Sequence, residues 1–343
     1  MKLELARRTL TLANPLQSAH GEVRERELLI VELTGKDGTV GYGEAAPMES
    51  YDGVTLADVQ HALEGYMPVV AGSAGMNGAQ MIAACRRVAD LPQALAAIDM
   101  ALWDRGGRRA DKPIAQMLAD TPVDRVPVNA TLTALDRAGV AEQAAAAARE
   151  GFGAIKLKVG VGDDAGRVAA ARAAAGPRIA LRLDANGAWS VEQAVRAIEA
   201  LSPAGLELVE EPTHGLQAVR EVRERVAVRV AIDETAAEHG ALGAGVADAV
   251  CLKVSRCGGI GGLVAAATLV RASGAEVYLA STLDGPLGVA AAVHAAAALA
   301  SRGAMPHCGL ATLSLFAGLD DQLPVREGAI ALPTGPGLGV EPF

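Results

Sequence analysis

Five apolar runs in the middle of this chain each end in charge. Ala154-Ile-Lys156-Leu-Lys158 and Cys251-Leu-Lys253 end in lysine, whereas Leu181-Arg-Leu-Asp184, Leu208-Val-Glu210-Glu211 and Ala231-Ile-Asp233-Glu234 end in carboxylates. Side chains alternate along a strand, so Lys156 and Lys158 share one face while Ile155, Leu157 and Val159 occupy the other. The same parity puts Glu210 on the face of Leu208, with Glu211 turned away. Three acids gathered in one low-dielectric mouth repel each other, so they either take protons or share a cation. Oxygen donors from Asp184, Glu210 and Asp233, with no His or Cys partner at the matching ends, favour a hard ion: one Mg2+, with Mn2+ an acceptable substitute.

A lysine near other cations, or partly desolvated, has a lowered pKa and serves as a base near neutral pH. Lys158 and Lys253 would flank the ion from opposite sides. The set therefore implies removal of a proton α to a carboxylate, followed by reprotonation or loss of a β-leaving group. Lys158, nearer its strand end, is the expected base; Lys253 is the expected opposing cation. Lys156, one layer deeper, is expected to tune its neighbour and balance the acids. Asn186 and Glu234 are expected to support them, Glu234 as a partner of Lys253. Any one acid reads equally well as a loop charge or a helix N-cap. It is three at matching strand ends that carry the argument. A Schiff-base lysine of the aldolase kind gives no reason for the acids, and a non-catalytic binding protein with this fold gives none for the lysines.

The elements that would hold these residues follow from periodicity. Apolar strand candidates start near residues 126, 154, 179, 206, 229, 249, 276 and 305, with Ala-rich helical stretches between most neighbours. Eight such units predict an α/β fold built on a TIM-type barrel, with chemistry at the carboxyl ends of its strands. A doubly wound sheet is the alternative, but no Gly-x-Gly-x-x-Gly opens the first βα turn. Ahead of the barrel, residues 3–12, 27–33 and 39–44 read as an antiparallel meander, and 55–69, 78–89 and 92–107 as amphipathic helices. The expected division is an α+β capping domain over 1–122, completed by about 315–343, and a barrel over 123–314.

Half of the 343 residues are hydrophobic (51%) but only 3% are aromatic, so the core must be made of Ala, Val, Leu and Ile. A net charge of −9 with no basic run argues against nucleic acid. Four cysteines without CxxC spacing, an amino terminus that alternates like a strand, and apolar runs too short for a bilayer predict a cytoplasmic protein without a membrane partner. A homo-oligomer is left open.

With these motifs in place, a resemblance enters. Lys156-x-Lys158, Asp184-Ala-Asn186, Glu210-Glu211-Pro212, Asp233-Glu234-Thr235 and Lys253 followed by Gly258-Gly-Ile resemble the enolase superfamily, specifically its muconate lactonizing enzyme subgroup. Gly41-Tyr-Gly-Glu44-Ala-Ala-Pro47 is similar to the family's capping domain. The resemblance implies a modified (β/α)7β barrel under an α+β cap, Mg2+ on Asp184, Glu210 and Asp233, and Lys158 and Lys253 about a small-molecule carboxylate. The mandelate racemase branch has a His base on the seventh strand, which reads Val277-Tyr-Leu-Ala-Ser-Thr282 here.

Ser281-Thr-Leu-Asp284-Gly-Pro-Leu-Gly288, His307-Cys-Gly-Leu310-Ala-Thr312 and Arg125-Val-Pro-Val-Asn-Ala-Thr131 are similar to stretches of the o-succinylbenzoate synthases. That likeness implies a lyase of menaquinone biosynthesis that dehydrates its substrate. It makes Ser281, Thr282 and Asp284, with Tyr51 of a cap loop, the candidate substrate pocket. N-acylamino acid racemase, dipeptide epimerase and muconate-type cycloisomerase are the alternatives within the subgroup. Dipeptide epimerases usually carry Asp-x-Asp after the eighth strand, where this chain has Cys308-Gly-Leu310.

Overall fold

The computed structural model describes residues 1–18, 21–319 and 321–343. The chain opens with β1 (Lys2–Ser18), β2 (Gly21–Thr34) and β3 (Val40–Ala45), an antiparallel sheet in that order. Five helices follow: α1 (Glu49–Asp52), α2 (Leu56–Ala71), α3 (Gly78–Val88), α4 (Pro92–Ala110) and α5 (Ile114–Leu118). Local chemistry sets their starts. Thr55 with Asp58 and Asn77 with Gln80 form capping boxes, and Pro92 occupies the first turn of α4. Helix α4 lies directly on β3. A Cβ at Gly43 would sit 1.9 Å from the Ala97 carbonyl oxygen, and one at Gly41 2.2 Å from that of Ala101, so Gly-Tyr-Gly is a requirement of this contact.

The chain then passes through β4 (Arg125–Pro127), β5 (Ala130–Leu132), α6 (Arg137–Arg149), β6 (Ala154–Lys158), α7 (Asp164–Ala175), β7 (Ala180–Asp184), α8 (Val191–Leu201), β8 (Leu206–Glu210), α9 (Leu216–Arg225) and β9 (Arg229–Ile232). Two 3-10 turns replace the next helix before β10 (Ala249–Leu252), α10 (Ile260–Ala272), β11 (Glu276–Leu279) and α11 (Pro286–Ala300). The tail adds β12 (Val325–Arg326) and β13 (Ala329–Ala331). Strands β5 to β11 form one parallel sheet in sequence order. It curls until Cys308 bridges Val128 and Gly309 bridges Ala280, both in parallel. This is the modified (β/α)7β barrel, under a cap of strands and helices.

Two strands differ from expectation. The eighth, expected over Met305–Gly309, is reduced to the two bridging residues. The first, expected over Val126–Thr131, is split in two. Pro127 has no N–H to continue a ladder, so β4 pairs antiparallel with β13 of the tail and only β5 joins the barrel. Helix α11 is buried from Pro286 to Leu299, between neighbours on both sides, which explains its nearly uninterrupted small apolar residues. No helix among the described residues is long and apolar enough to cross a membrane.

Candidate active site

Parallel pairing in register assembles the charged strand ends. Lys158 lies opposite Asp184, and Asp184 opposite Glu210. Asp233 and Lys253 are the first residues past β9 and β10. Lys156 Nζ donates to Glu210 Oε1 at 2.8 Å and lies 2.9 Å from Asp184 Oδ2. Lys158 Nζ donates to Asn186 Oδ1 at 2.5 Å and stands 3.9 Å from Asp184 Oδ2. On the far side Lys253 is ion-paired with Asp233 Oδ1. Asn186 holds its post through a left-handed backbone, φ 43°, which Asn tolerates better than most residues. Its Nδ2 donates to Glu234 Oε1 at 2.9 Å. Glu234 therefore supports Asn186; its expected pairing with Lys253 is not formed, because Asp233 is one residue nearer to that ammonium.

Glu211 turns out of the barrel, with φ 42°, and accepts hydrogen bonds from the backbone N–H of Asp233 and Thr235. It fixes the loop that carries Asp233. Tyr51, on α1 of the cap, reaches down so that its hydroxyl donates to Asp233 Oδ2 at 2.7 Å and accepts from Lys253 Nζ at 3.0 Å. Ser281 and Thr282 border the same cavity, of about 350 Å³, together with Tyr51, Lys156, Lys158, Asp184, Asn186, Asp233 and Lys253. Asp284 is not brought to it. It is 5% exposed, behind the cavity wall, where burial pushes its carboxyl up to about 6 against the opposing Arg26 guanidinium.

Burial and ion pairing set the charge state of the cluster. Burial pushes the Glu210 carboxyl up to about 7, although the Lys156 ammonium pulls it down. For Asp184 the same burial is outweighed by Lys156 and Lys158, and for Asp233 by Lys253, so both are held below the usual range. The lysine shift runs opposite to the lowered values expected. Burial alone would depress Lys156 and Lys253, but their carboxylate partners hold both ammoniums well above normal. The three acids are therefore held apart by cations of the chain itself: Lys156 and Lys253 in contact, Lys158 at 3.9 Å from Asp184 and Arg256 at 3.7 Å from Asp233.

Glu210, Asp233 and Cys251 place donor atoms within 4.8 Å of one another, all buried, a cluster able to chelate a divalent ion such as Mg2+ or Mn2+. Asp184, the third acid expected, lies beside this cluster, with the Lys156 ammonium between it and Glu210. Burial pushes the Cys251 thiol up, which leaves the hard carboxylate oxygens as the anionic donors.

Sequence reasoning missed three residues here. Cys251 and Tyr278 face inward by the same parity that exposed the lysines, and Tyr278 donates to Glu210 Oε2 at 2.7 Å. Arg256 has no such signal. It lies in the loop after β10, 4.5 Å over the Tyr51 ring, and its Nε is 3.2 Å from Asp52.

Comparison with known proteins narrows the reading. Residues 139–343 match the family model "Enolase C-terminal domain-like", and residues 2–119 match "Mandelate racemase / muconate lactonizing enzyme, N-terminal domain". A hydrophobic dipeptide epimerase of Enterococcus faecalis is 33% identical, covering 82% of each chain. Muconate cycloisomerase 1 of Rhodococcus opacus is 31% identical over 96% of this chain and 92% of its own. The crystal structure of dipeptide epimerase from E. faecalis superposes with a TM-score of 0.90 at 28% identity, over 99% of both chains.

These matches overturn the expected o-succinylbenzoate synthase, its dehydration and its place in menaquinone biosynthesis. The synthase of Thermobifida fusca shares 42% identity, but across only 56% of this chain. Likeness along the greater part of the length is to epimerases and cycloisomerases. The lysine and carboxylate motifs are common ground for these reactions, and short stretches such as 281–288 are too local to separate them. The chain belongs to the enolase superfamily, in its mandelate racemase/muconate lactonizing enzyme branch, and is an enzyme with a barrel-mouth cluster suited to a divalent metal.

Proposed function

We propose that this enzyme removes the α-proton of a small carboxylate substrate and returns a proton to the opposite face, racemising or epimerising an N-acylated or dipeptidyl amino acid. The observation that carries this reading is the placement of Lys158 and Lys253 on opposite sides of the acids, at the ends of strands four places apart in the sheet. Asp184, Glu210 and Asp233 would hold the ion, which when bound supplies positive charge against the charge growing on the substrate carboxylate. Lys158 Nζ, a third exposed and open to the cavity, takes the proton from one face. Lys253 Nζ, buried and steadied by the Tyr51 hydroxyl, delivers one to the other. For the opposite enantiomer the two exchange roles. Asn186 and Glu234 orient Lys158, and Lys156 offsets the charge of Asp184 and Glu210.

Residues 1–122, rejoined by the tail from about 315, act as the cap that shields this chemistry from water; the reach of Tyr51 into the site supports that division. The four free cysteines suit a reducing cytoplasm. Cycloisomerisation of a muconate is the second reading, favoured by the match along nearly the whole chain.

The test is incubation in deuterium oxide with Mg2+, an N-acylamino acid, a dipeptide panel and cis,cis-muconate. Exchange of the α-proton, lost with EDTA and restored by Mg2+, is expected. Exchange that persists in EDTA, or lactone formation with no exchange into any amino acid, would refute the racemase reading.

A further inference from the structure

Two loops at the rim of the cavity hold apolar side chains out in solvent. Leu135 is 61% exposed and Val161 48%. Among the described residues these are the two highly exposed large hydrophobics that border this cavity. Apolar surface left in water favours whatever apolar group can cover it.

Both loops are fixed rather than loose. Gln143 on α6 accepts through Oε1 from the backbone N–H of Thr133 at 2.8 Å and Ala134 at 3.0 Å, just ahead of Leu135. Val161 sits between Gly160 and Gly162, with φ 88° and 77°. Arg167 of α7, 1% exposed, donates to the Val161 carbonyl at 2.8 Å and to Asp164 Oδ1 at 2.6 Å. Asp164 Oδ2 in turn accepts from Gly160 N–H at 2.7 Å. An ion pair between Arg137, which opens α6, and Asp163, which caps α7, ties the two loops together. A buried guanidinium tied to one loop carbonyl fixes the direction in which Val161 points.

The charges around the cavity complete the argument. Its only carboxylates among the described residues are Asp184 and Asp233, each ion-paired with a lysine. A substrate ammonium would find no free acid. Of the cations that line the cavity besides the three lysines, Arg167 is 1% exposed and already ion-paired with Asp164, so a second substrate carboxylate would meet the apolar rim before any solvent-facing charge.

We propose that Leu135 and Val161 are specificity-determining residues that select an uncharged, apolar acyl group on an N-acylated α-amino acid. This rests on the proton-abstraction reading above.

The test compares α-proton exchange into N-hexanoyl-L-methionine, N-succinyl-L-methionine and L-leucyl-L-methionine in deuterium oxide with Mg2+. For the wild type, kcat/KM at least about tenfold higher for the hexanoyl substrate than for either charged one is expected, the scale of a well-filled apolar subsite. Val161→Lys and Leu135→Lys, both at exposed positions, should each lower the hexanoyl-to-succinyl ratio at least about tenfold, with Tm unchanged. Equal or better turnover of either charged substrate by the wild type, or a ratio that neither variant moves, would overturn the assignment and leave proton abstraction standing. Exchange into none of the three would overturn both.

Discussion

Glu210 states at the scale of one residue why the site asks for a cation. Its carboxyl is raised to about 7 because burial penalises its charge more than Lys156 can offset. A divalent ion binds the ionised form, so binding must release this proton. The sign follows: the proton is mostly on at pH 6 and mostly off at pH 8. Mg2+ affinity, followed by calorimetry, should rise about tenfold per pH unit up to 7 and level off above it. A flat profile between pH 5 and 7 would remove Glu210 from the metal's ligands. Parity along the strands exposed Lys156, Lys158, Asp184 and Glu210, because side-chain direction in a barrel strand is set by the backbone alone. Asp284 was misplaced for the complementary reason. It lies in the loop after β11, where direction depends on partners such as Arg26, and no period in the sequence encodes them.

Among the elements, the contact of β3 with α4 is the most exacting. Gly43→Ala would force a methyl group against the Ala97 carbonyl. It should cost about 2 kcal/mol in urea denaturation, the usual price of overpacking, and a variant of wild-type stability would show that α4 can shift freely. The helices were legible because capping boxes at Thr55 and Asn77 and a leading Pro92 mark their starts by local chemistry. The closing strand was not. Cys308 and Gly309 complete the barrel through one bridge each, to Val128 and Ala280. A strand that short has too few residues to show alternation, and its place is fixed by partners distant in sequence.

For the whole molecule, the decisive feature is how the cap is held over the barrel. Arg26 of β2, 6% exposed, donates to the carbonyls of Ala46 at 2.8 Å and Pro47 at 2.9 Å in the cap. It reaches those of Thr282 at 3.3 Å and Leu283 at 3.4 Å in the barrel loop. Arg26→Ala strips this clamp and leaves Asp284 and Glu44 without their cation. A loss of about 3 kcal/mol is expected, with faster proteolysis over residues 47–53 and a rise in KM larger than the fall in kcat. Unchanged proteolysis would show that the cap is held by other contacts. The central claim is that two lysines work on opposite faces of one substrate carbon. Its most direct test is α-proton exchange in deuterium oxide by Lys158→Ala and Lys253→Ala, each given the separate enantiomers of an N-acylamino acid. Both variants should lose racemisation by about 10³-fold, yet each should still exchange one enantiomer, and not the same one. Racemisation at the wild-type rate in either variant, or exchange of the same enantiomer by both, would contradict it.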